Sequence, residues 1–379
     1  MNRVALRMLL GDKAKYFGLV FAVAFAAMLM AHQTSIFVSL MLRTANQIGA
    51  VRDAEVWVMD PRVQYYDENE PLTDTSLYRV RGVDGVAWAV PLFKQLARAK
   101  TTAGRFQVSL VIGHDDATLV GAPRDLLMGS PAGLRQPDAV IVDDVGYGFL
   151  WPGEPFRLGK TLEMNDRRAV VVGICRTPPP FQTVPLLYTR YSQALSYVGG
   201  ERNRMSFVLV HPEEGVDAST LARRIEERTG LSAKTRAAFS WMTIRYYLTH
   251  TGIPFNFGIT ILVAFLVGTV VAGQTFYLFA VEHLKEFGAL KAIGVTNARL
   301  VGMILLQAVV VGAMGFAFGT FLAAGFFEAT QDLPHLRGFF MPWRVAAGVG
   351  AVVMVIVILA SLVSIRRVVV LEPAVVFRG

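Results

Sequence analysis

The residues closest to a nucleotide-binding motif are Gly159-Lys160-Thr161, which match the end of a phosphate-binding loop. That loop needs another glycine five positions before Gly159, with four residues between the two glycines, because the intervening backbone N–H groups must curl around the phosphates. The position holds Glu154, and Gly153 lies one residue too far away. The sequence after Thr161 is typical of a strand rather than a helix. We therefore predict a hairpin turn and no nucleotide binding there.

The other residues capable of chemistry form no recognisable catalytic or metal-binding pattern. The single Cys175 excludes a disulfide within the chain and is interpreted as a small buried hydrophobic residue. His114-Asp115-Asp116, Asp143-Asp144 and Glu213-Glu214 are predicted to lie in solvated turns or loops. The histidines lack metal-ligand spacing; they are His32, His114, His211, His250, His283 and His335. Because a Gly-x-Ser-x-Gly element is also missing, we predict no catalytic, cofactor or metal residues in this chain.

The part of the sequence that is most informative about function is an amphipathic segment between Val281 and Leu300. Apolar side chains recur at the spacing of one helical face, and charged side chains occupy the other faces. Gly294 is predicted to end a helix of about three turns, and Asn297 to cap the next one. The apolar face is too small to form a core alone, so it either lies on lipid or fills a groove on a partner. Its residues are Leu284, Phe287, Leu290, Ala292 and Ile293.

The elements that must position this helix are membrane-spanning. Of 379 residues, 53% are hydrophobic and only 17% are charged, against about 25% in soluble domains. Four blocks without Asp, Glu, Lys or Arg each exceed the roughly 20 residues that cross a bilayer. These blocks are 16–42, 254–281, 300–327 and 345–365. The composition excludes an ordinary soluble enzyme, a disordered chain and a coiled coil.

The distribution of charge predicts the orientation. The net charge is +8, yet residues 43–250 hold 25 basic and 23 acidic residues, so most of the excess flanks the apolar blocks. This is the positive-inside pattern and not a nucleic-acid footprint. Both termini are therefore predicted to be cytoplasmic. A cleaved signal peptide, with Ala24-Phe25-Ala26 as the processing site, is the competing interpretation of the first block; N-terminal sequencing would decide between them.

The predicted fold class is a membrane protein of four transmembrane helices with an α+β extracytoplasmic domain inserted between the first and second. Alternating or short apolar runs predict strands at 54–59, 106–112, 169–174 and 207–210. A capped helix is predicted from Asp217 to Gly230, and another around 191–197. The full order is an interfacial helix at 1–15, transmembrane helix 16–42, the inserted domain 43–250, transmembrane helix 254–281, the amphipathic-helix loop 282–299, transmembrane helix 300–327, a short outer loop 328–344, transmembrane helix 345–365 and a cytoplasmic tail 366–379.

Residues within the spans indicate helix packing rather than ion transport. Gly312, Gly315 and Gly319 lie in the third span, and the spacing of the last two allows close helix contact. Gln274 and Gln307 are the noticeable polar residues. Because the spans contain no acidic or basic residue, a proton- or ion-coupled carrier is disfavoured.

The run Glu286-Phe287-Gly288-Ala289-Leu290-Lys291-Ala292-Ile293-Gly294 resembles the coupling helix of FtsX/MacB-type ABC transporter permeases. The four-span plan is similar, and 371–378 resembles the short Pro-Ala tail of that family. Within the family, 54–59, 82–86 and 111–115 look closest to the DevC type. The chain lacks the N-terminal ATPase of full-length MacB, so the resemblance implies a separate ATPase subunit.

The resemblance further implies a homodimer in the bacterial inner membrane that transmits motion to a periplasmic domain. The ATPase subunit would bind ATP and magnesium, and this chain would need no cofactor and would not be an enzyme. A periplasmic membrane-fusion adaptor, an outer-membrane channel and membrane lipid are the other implied partners, without nucleic acid. A non-transporting relay that controls an envelope enzyme, and a membrane-anchored enzyme or receptor, remain alternatives. The implied ATPase-binding residues are Glu286, Phe287, Gly288, Leu290, Lys291, Ala292, Ile293 and Gly294.

Overall fold

The computed structural model describes residues 2–11, 13–199, 205–334 and 336–370, so His335 and the predicted Pro-Ala tail at 371–378 lie outside it. The chain divides into two compact units. The helical unit comprises Met1–Ser39 and Gly252–Gly379, and the inserted unit comprises Leu40–Thr251. This division confirms the predicted fold class, in which an α+β unit interrupts a set of apolar helices.

The helices of the described residues are α1 (Asn2–Gly11), α2 (Lys13–Ala50), α3 (Asp74–Arg81), α4 (Asp144–Leu150), α5 (Tyr191–Val198), α6 (Ala218–Thr229), α7 (Arg236–His250), α8 (Ile253–Glu282), α9 (Leu284–Ala292), α10 (Asn297–Thr330) and α11 (Trp343–Val370). Four of these, α2, α8, α10 and α11, are long and apolar enough to cross a membrane. Each contains one predicted apolar block and continues beyond it, because charged residues are compatible with a helix outside the hydrocarbon. The membrane bounds themselves remain predictions.

Small residues allow the helices of the helical unit to pack closely. A side chain on Gly268 of α8 would collide with Ala26 of α2, and the core there is rich in alanine. Gln307 of α10 is buried, and its Nε2 donates a hydrogen bond to the Ala5 carbonyl oxygen of α1 at 2.8 Å. This polar side chain therefore ties the first helix to the third apolar helix instead of lining an ion path.

The inserted unit is built on a mixed sheet with helices on both faces. Its strands are β1 (Val56–Met59), β2 (Val86–Thr101), β3 (Phe106–His114), β4 (Leu126–Gly129), β5 (Ala139–Asp143), β6 (Thr161–Met164), β7 (Arg167–Cys175), β8 (Leu186–Arg190), β9 (Phe207–Pro212) and β10 (Ser232–Thr235). Among the described residues the strand order is β10-β1-β9-β2-β3-β8-β5-β7-β4, and β6 pairs with both β2 and β7. The predicted strands and the two predicted helices are confirmed, with ends displaced by a few residues.

Burial on both faces explains why several strands are apolar throughout. In β1, Val56 and Val58 pack into a cluster with residues of α3 and α6, whereas Trp57 and Met59 enter the opposite cluster with Phe239 of α7. Successive side chains of a strand point to opposite faces, so a strand covered on both sides must be apolar at every position. The Gly159-Lys160-Thr161 segment is the turn that enters β6, and Lys160 pairs with Glu154.

Two polar groups predicted to be solvated are buried, and those predictions were wrong. His114 ends β3 with 1% of its surface exposed, and Asp143 ends β5 with 4% exposed. Asp143 Oδ2 accepts a hydrogen bond from the Gly146 N–H at 3.0 Å and caps α4. Its Oδ1 accepts from the Leu186 N–H at 2.7 Å, at the start of β8. Asp143 therefore joins three elements and is a structural residue.

Burial raises the pKa of Asp143 to about 7, against the opposing effect of its backbone hydrogen bonds. Because the pKa of Asp143 is higher in the folded chain than in the unfolded chain, this carboxyl group stabilises the fold fully below pH 3.8. Its contribution is lost as the pH rises from 3.8 towards 7. We expect the free energy of unfolding of the wild-type chain, relative to Asp143→Asn, to fall by at most about 1.4 kcal/mol per pH unit between these values. Denaturant unfolding in detergent at several pH values measures it; equal pH slopes would contradict the assignment.

Candidate functional site

The predicted amphipathic helix is α9, which spans about two and a half turns, slightly less than predicted. Gly294 has φ +92°, a left-handed conformation that ends the helix. Its N–H donates to the Lys291 carbonyl at 3.1 Å, and the Val295 N–H donates to the Leu290 carbonyl at 3.1 Å. The prediction that Asn297 caps the next helix was wrong: Thr296 is the N-cap residue, in extended backbone, and Asn297 is already helical.

The inner face of α9 packs against the ends of its neighbouring helices. Phe287 is 0% exposed, Gly288 is buried, and Leu284 and Leu290 are half-buried. The ring of Phe287 belongs to a small apolar cluster that draws residues from α1, α8, α10 and α11. The other buried members are Ala5, Ala280, Leu300, Met303, Ile304 and Val368. Phe287 therefore anchors α9, and its side chain is not on the surface that a partner would touch.

The outer face of α9 is exposed. Ile293, which follows the last residue of α9, is 79% exposed. Glu286, Ala292 and Gly294 are also exposed. Lys291 is half-buried, and its Nζ donates to the Val369 carbonyl of α11 at 2.7 Å. The eight predicted site residues thus separate into an anchoring group and an exposed group centred on Ile293.

Polar contacts fix the helix ends around α9. Lys15 at the start of α2 forms an ion pair with Glu282 at the end of α8. Arg367 of α11 donates a hydrogen bond to the Tyr277 hydroxyl of α8 at 3.2 Å. These contacts hold α2, α8 and α11 together at the end of the helical unit that carries α9.

The three predicted packing glycines of α10, Gly312, Gly315 and Gly319, all lie at close helix contacts. A Cβ on Gly312 would lie 2.9 Å from Val357 Cγ2 of α11. A Cβ on Gly315 would lie 2.6 Å from Val23 Cγ1 of α2, and one on Gly319 would lie 2.7 Å from Ala27 Cβ of the same helix. Real Cβ atoms essentially never come this close, so the absence of a side chain sets the distance between these helices.

A second set of contacts, which the sequence did not predict, lies in the inserted unit at the end of α2. Three polar side chains on one face of the helix bind three consecutive proline carbonyls. Arg43 Nε donates to Pro180 O at 3.2 Å, Asn46 Nδ2 to Pro179 O at 2.9 Å, and Gln47 Nε2 to Pro178 O at 2.9 Å. We name this the proline clamp. The polar residues at i, i+3 and i+4 were its only sequence signal.

A buried lysine joins the sheet to α7. Lys94 of β2 is 5% exposed, and its Nζ donates to the Tyr66 carbonyl at 2.8 Å and to Asp67 Oδ1 at 2.6 Å. The Tyr247 hydroxyl of α7 donates to Asp67 Oδ2 at 3.2 Å. Burial lowers the pKa of Lys94, and the Asp67 carboxylate opposes that shift. Because a buried charge requires a partner, this network holds α7 to the sheet.

Comparison with known proteins gives similarity to one family along most of the chain. Residues 239–373 match the family model "FtsX-like permease C-terminal", and residues 17–228 match "MacB-like periplasmic core domain". An uncharacterized ABC transporter permease of Mycobacterium tuberculosis is 28% identical over 227 residues, 59% of this chain and 58% of that protein. The chain thus matches less than two thirds of that relative's length. A second permease of the same species is 26% identical over 317 residues, 82% of this chain and 80% of the relative.

The solved periplasmic region of MacB from Actinobacillus actinomycetemcomitans aligns with a TM-score of 0.39 and 14% identity, covering 54% of this chain and 96% of that structure.

Proposed function

Because this chain belongs to the family of FtsX-like ABC transporter permeases with a MacB-like periplasmic core domain, we propose that it relays the motion of a separate ATPase subunit to its inserted unit. In this proposal the ATPase binds and hydrolyses ATP with magnesium, and this chain needs no cofactor of its own. The relay serves export through a periplasmic adaptor and an outer-membrane channel, as the DevC-like sequence features favour.

The division of α9 into two faces supports the proposal most directly. Phe287 fixes the helix to the cluster formed with α1, α8, α10 and α11, while Ile293 and Glu286 remain exposed. A coupling element needs both properties, because the partner must bind it and the displacement must be passed on. An exposed apolar residue beside a helix is suited to a groove on a protein partner.

The charge distribution supports an inner-membrane orientation with α9 and both termini in the cytoplasm. Exposed basic residues lie in α9, near the start of α10 and at the end of α11: Lys285, Arg299, Arg366 and Arg367. Short loops rich in Lys and Arg stay on the cytoplasmic side. The inserted unit is then periplasmic, in keeping with the description of its matching family model.

The continuity of α2 supports the route of the relay. One helix extends from Lys13, beside Glu282, to Ala50, and its last turns carry the proline clamp. A tilt or shift of α2 would therefore act on the segment between β7 and β8. Within the inserted unit, α7 is held to β2 by Asp67 and Lys94, so it provides a second connection.

The exposed apolar surface of α8 supports pairing of two copies in the membrane. Of the four apolar helices described, α8 has the fewest buried residues. Leu262, Leu266 and Val270 are each about half exposed or more. In the proposed homodimer this surface faces the second copy or lipid, and each copy contributes one α9 to an ATPase dimer.

Capture of the ATPase by the full chain tests the proposal. The ATPase encoded by a neighbouring reading frame is purified and bound to the chain in nanodiscs. We expect Ile293→Asp to weaken capture at least about tenfold, equivalent to about 1.4 kcal/mol, because a charge replaces the apolar contact. Phe106→Asp makes a similar change at a residue that is 58% exposed in the inserted unit, and it serves as the matched control.

Capture that is equally strong for Ile293→Asp and the wild type would contradict the contact. A topology measurement tests the orientation independently. Cys175 is buried, so an Ala289→Cys variant places an accessible thiol on α9. A membrane-impermeant maleimide should label it only after the cells are permeabilised; labelling of intact spheroplasts would overturn the proposal.

A further inference from the structure

A groove of about 370 Å³ lies between α8 and α11, on the outer surface of the helical unit. Gly273 and Ala360 approach each other at its base, where a Cβ on Gly273 would lie 3.8 Å from Ala360 Cα. The apolar walls are open, because Val270 is 66%, Val363 54% and Leu359 41% exposed. Both helices are long and apolar enough to cross a membrane, so a molecule would reach this groove from within the bilayer.

Polar side chains lie at the end of the groove nearest α9. Gln274 and Tyr277 line this end, and the exposed Gln274 amide has no hydrogen-bond partner among the described residues. Arg367 Nη2 donates to the Tyr277 hydroxyl oxygen at 3.2 Å, so the hydroxyl proton and the other guanidinium N–H groups remain available as donors. Arg366 and Arg367 lie one turn beyond Val363, on the same face of α11.

The charge at this end of the groove is positive. Arg366 and Arg367 are exposed, and neither forms an ion pair with a described carboxylate. Glu282, at the end of α8, is already paired with Lys15. The two arginines directly follow the predicted span 345–365, at the level where lipid headgroups lie. The groove therefore combines an open apolar channel with an end that suits an anion.

We propose that this groove binds one phospholipid of net negative charge. Arg366 and Arg367 hold its phosphate, and the Tyr277 hydroxyl donates to a phosphate oxygen. Gln274 lies about one turn further along α8 into the span, where its amide N–H donates to an ester carbonyl. An acyl chain then fills the channel beside Val270. Basic pockets between membrane helices at one face of the bilayer are typical sites for anionic headgroups.

The positive charge favours a lipid over a second copy of the chain as the occupant. A second copy seated on the groove about a two-fold axis would bring its own arginines to the same surface, and like charges repel. Leu262 and Leu266 lie farther from α9 and do not line the groove, so the pairing surface proposed above remains available. The lipid site is additional to the proposed relay and does not depend on it.

Two lipids that differ only in their headgroup test the proposal. The full chain, purified in a neutral detergent, is heated with dioleoyl phosphatidylglycerol, which is anionic, or with dioleoyl phosphatidylcholine, which is not. We expect the anionic lipid to raise the unfolding temperature with an apparent affinity at least about tenfold higher. Glycerol phosphate, an anion without acyl chains, should not stabilise the chain.

Paired substitutions separate this site from general surface charge. Arg366→Gln combined with Arg367→Gln should remove the preference for the anionic lipid. Lys285→Gln combined with Arg299→Gln removes two exposed basic residues that lie on α9 and α10, and it should keep the preference. Loss of the preference in this control, or its persistence in the arginine variant, would overturn the proposal.

Filling the groove tests the place of the acyl chain. Gly273→Leu, or Val363→Trp if the first variant does not fold, should abolish the preference. Gly348→Leu, at an exposed glycine of α11 with nothing within 4 Å of its Cβ, is the matched control and should retain it. Equal action of the two lipids on the wild type, or stabilisation by glycerol phosphate alone, would contradict the site. A Gly273→Leu chain that loses its dimer but keeps the lipid preference would show that a second copy covers the groove.

Discussion

Replacing Phe287 with alanine should lower the free energy of unfolding by about 3–5 kcal/mol and should also weaken capture of the ATPase. Phe287 is fully buried among residues of four other helices, so its removal leaves a cavity at the point where α9 is attached. An α9 that is no longer anchored does not present Ile293 in a fixed position. Denaturant unfolding in detergent measures the first effect, and capture in nanodiscs measures the second.

Phe321→Ala is the matched control, because Phe321 is 71% exposed on α10. It should change stability by no more than about 0.5 kcal/mol and leave capture unchanged. The comparison with Ile293→Asp separates the two faces of α9, since that variant should lose capture but keep its stability. If Phe287→Ala retained wild-type stability, the anchoring role of this residue would be wrong.

The sequence predicted those parts of the fold that depend on local pattern. Four apolar blocks led to four long apolar helices, alternation located β1, β3 and β9, and a short apolar run located β7. Asp217 and Gly230 flank α6 as predicted. Both an N-terminal cap and a left-handed glycine depend only on a few adjacent residues, so the local sequence suffices to predict them. β2 was missed, because its 16 residues combine buried and exposed segments without one regular period.

Burial that arises from distant segments could not be predicted. His114 looked like part of a polar turn, yet the loop carrying Val120 covers it. Asp143 stood in a pair of carboxylates, yet the start of β8 supplies the N–H that binds it. In both cases the decisive contact comes from residues outside the local polar cluster. Residue type alone therefore gave the wrong environment for both.

The candidate site shows the same limit. Periodicity identified the apolar face of α9 correctly, but an apolar face on a short helix can pack inward or bind a partner, and the pattern is identical in both cases. The three-dimensional arrangement decides: Phe287 is inside, and Ile293 is outside. The proline clamp was missed because Pro178 to Pro180 indicated only a turn, whereas their carbonyls are acceptors for a helix more than a hundred residues earlier.

Replacing Gly319 with leucine should prevent α10 from packing on α2. Even a Cβ at this position would meet the Ala24 carbonyl and lie 2.8 Å from the Met28 nitrogen, both backbone atoms that cannot rotate away. Overpacking in a well-packed core typically costs about 1–3 kcal/mol, and we expect a loss at or above the upper end of that range. Thermal unfolding of the purified full chain measures it.

Gly325→Leu provides a control in the same helix, because nothing lies within 4 Å of a Cβ at Gly325. This variant should unfold at nearly the wild-type temperature, so any difference between the two reports the contact with α2 and not the change of residue type. Since α2 also carries the proline clamp, a Gly319→Leu chain that still inserts should lose ATP-dependent changes in the inserted unit while Ile293 keeps its exposure. Wild-type stability of Gly319→Leu would show that the close approach of α2 and α10 is not required.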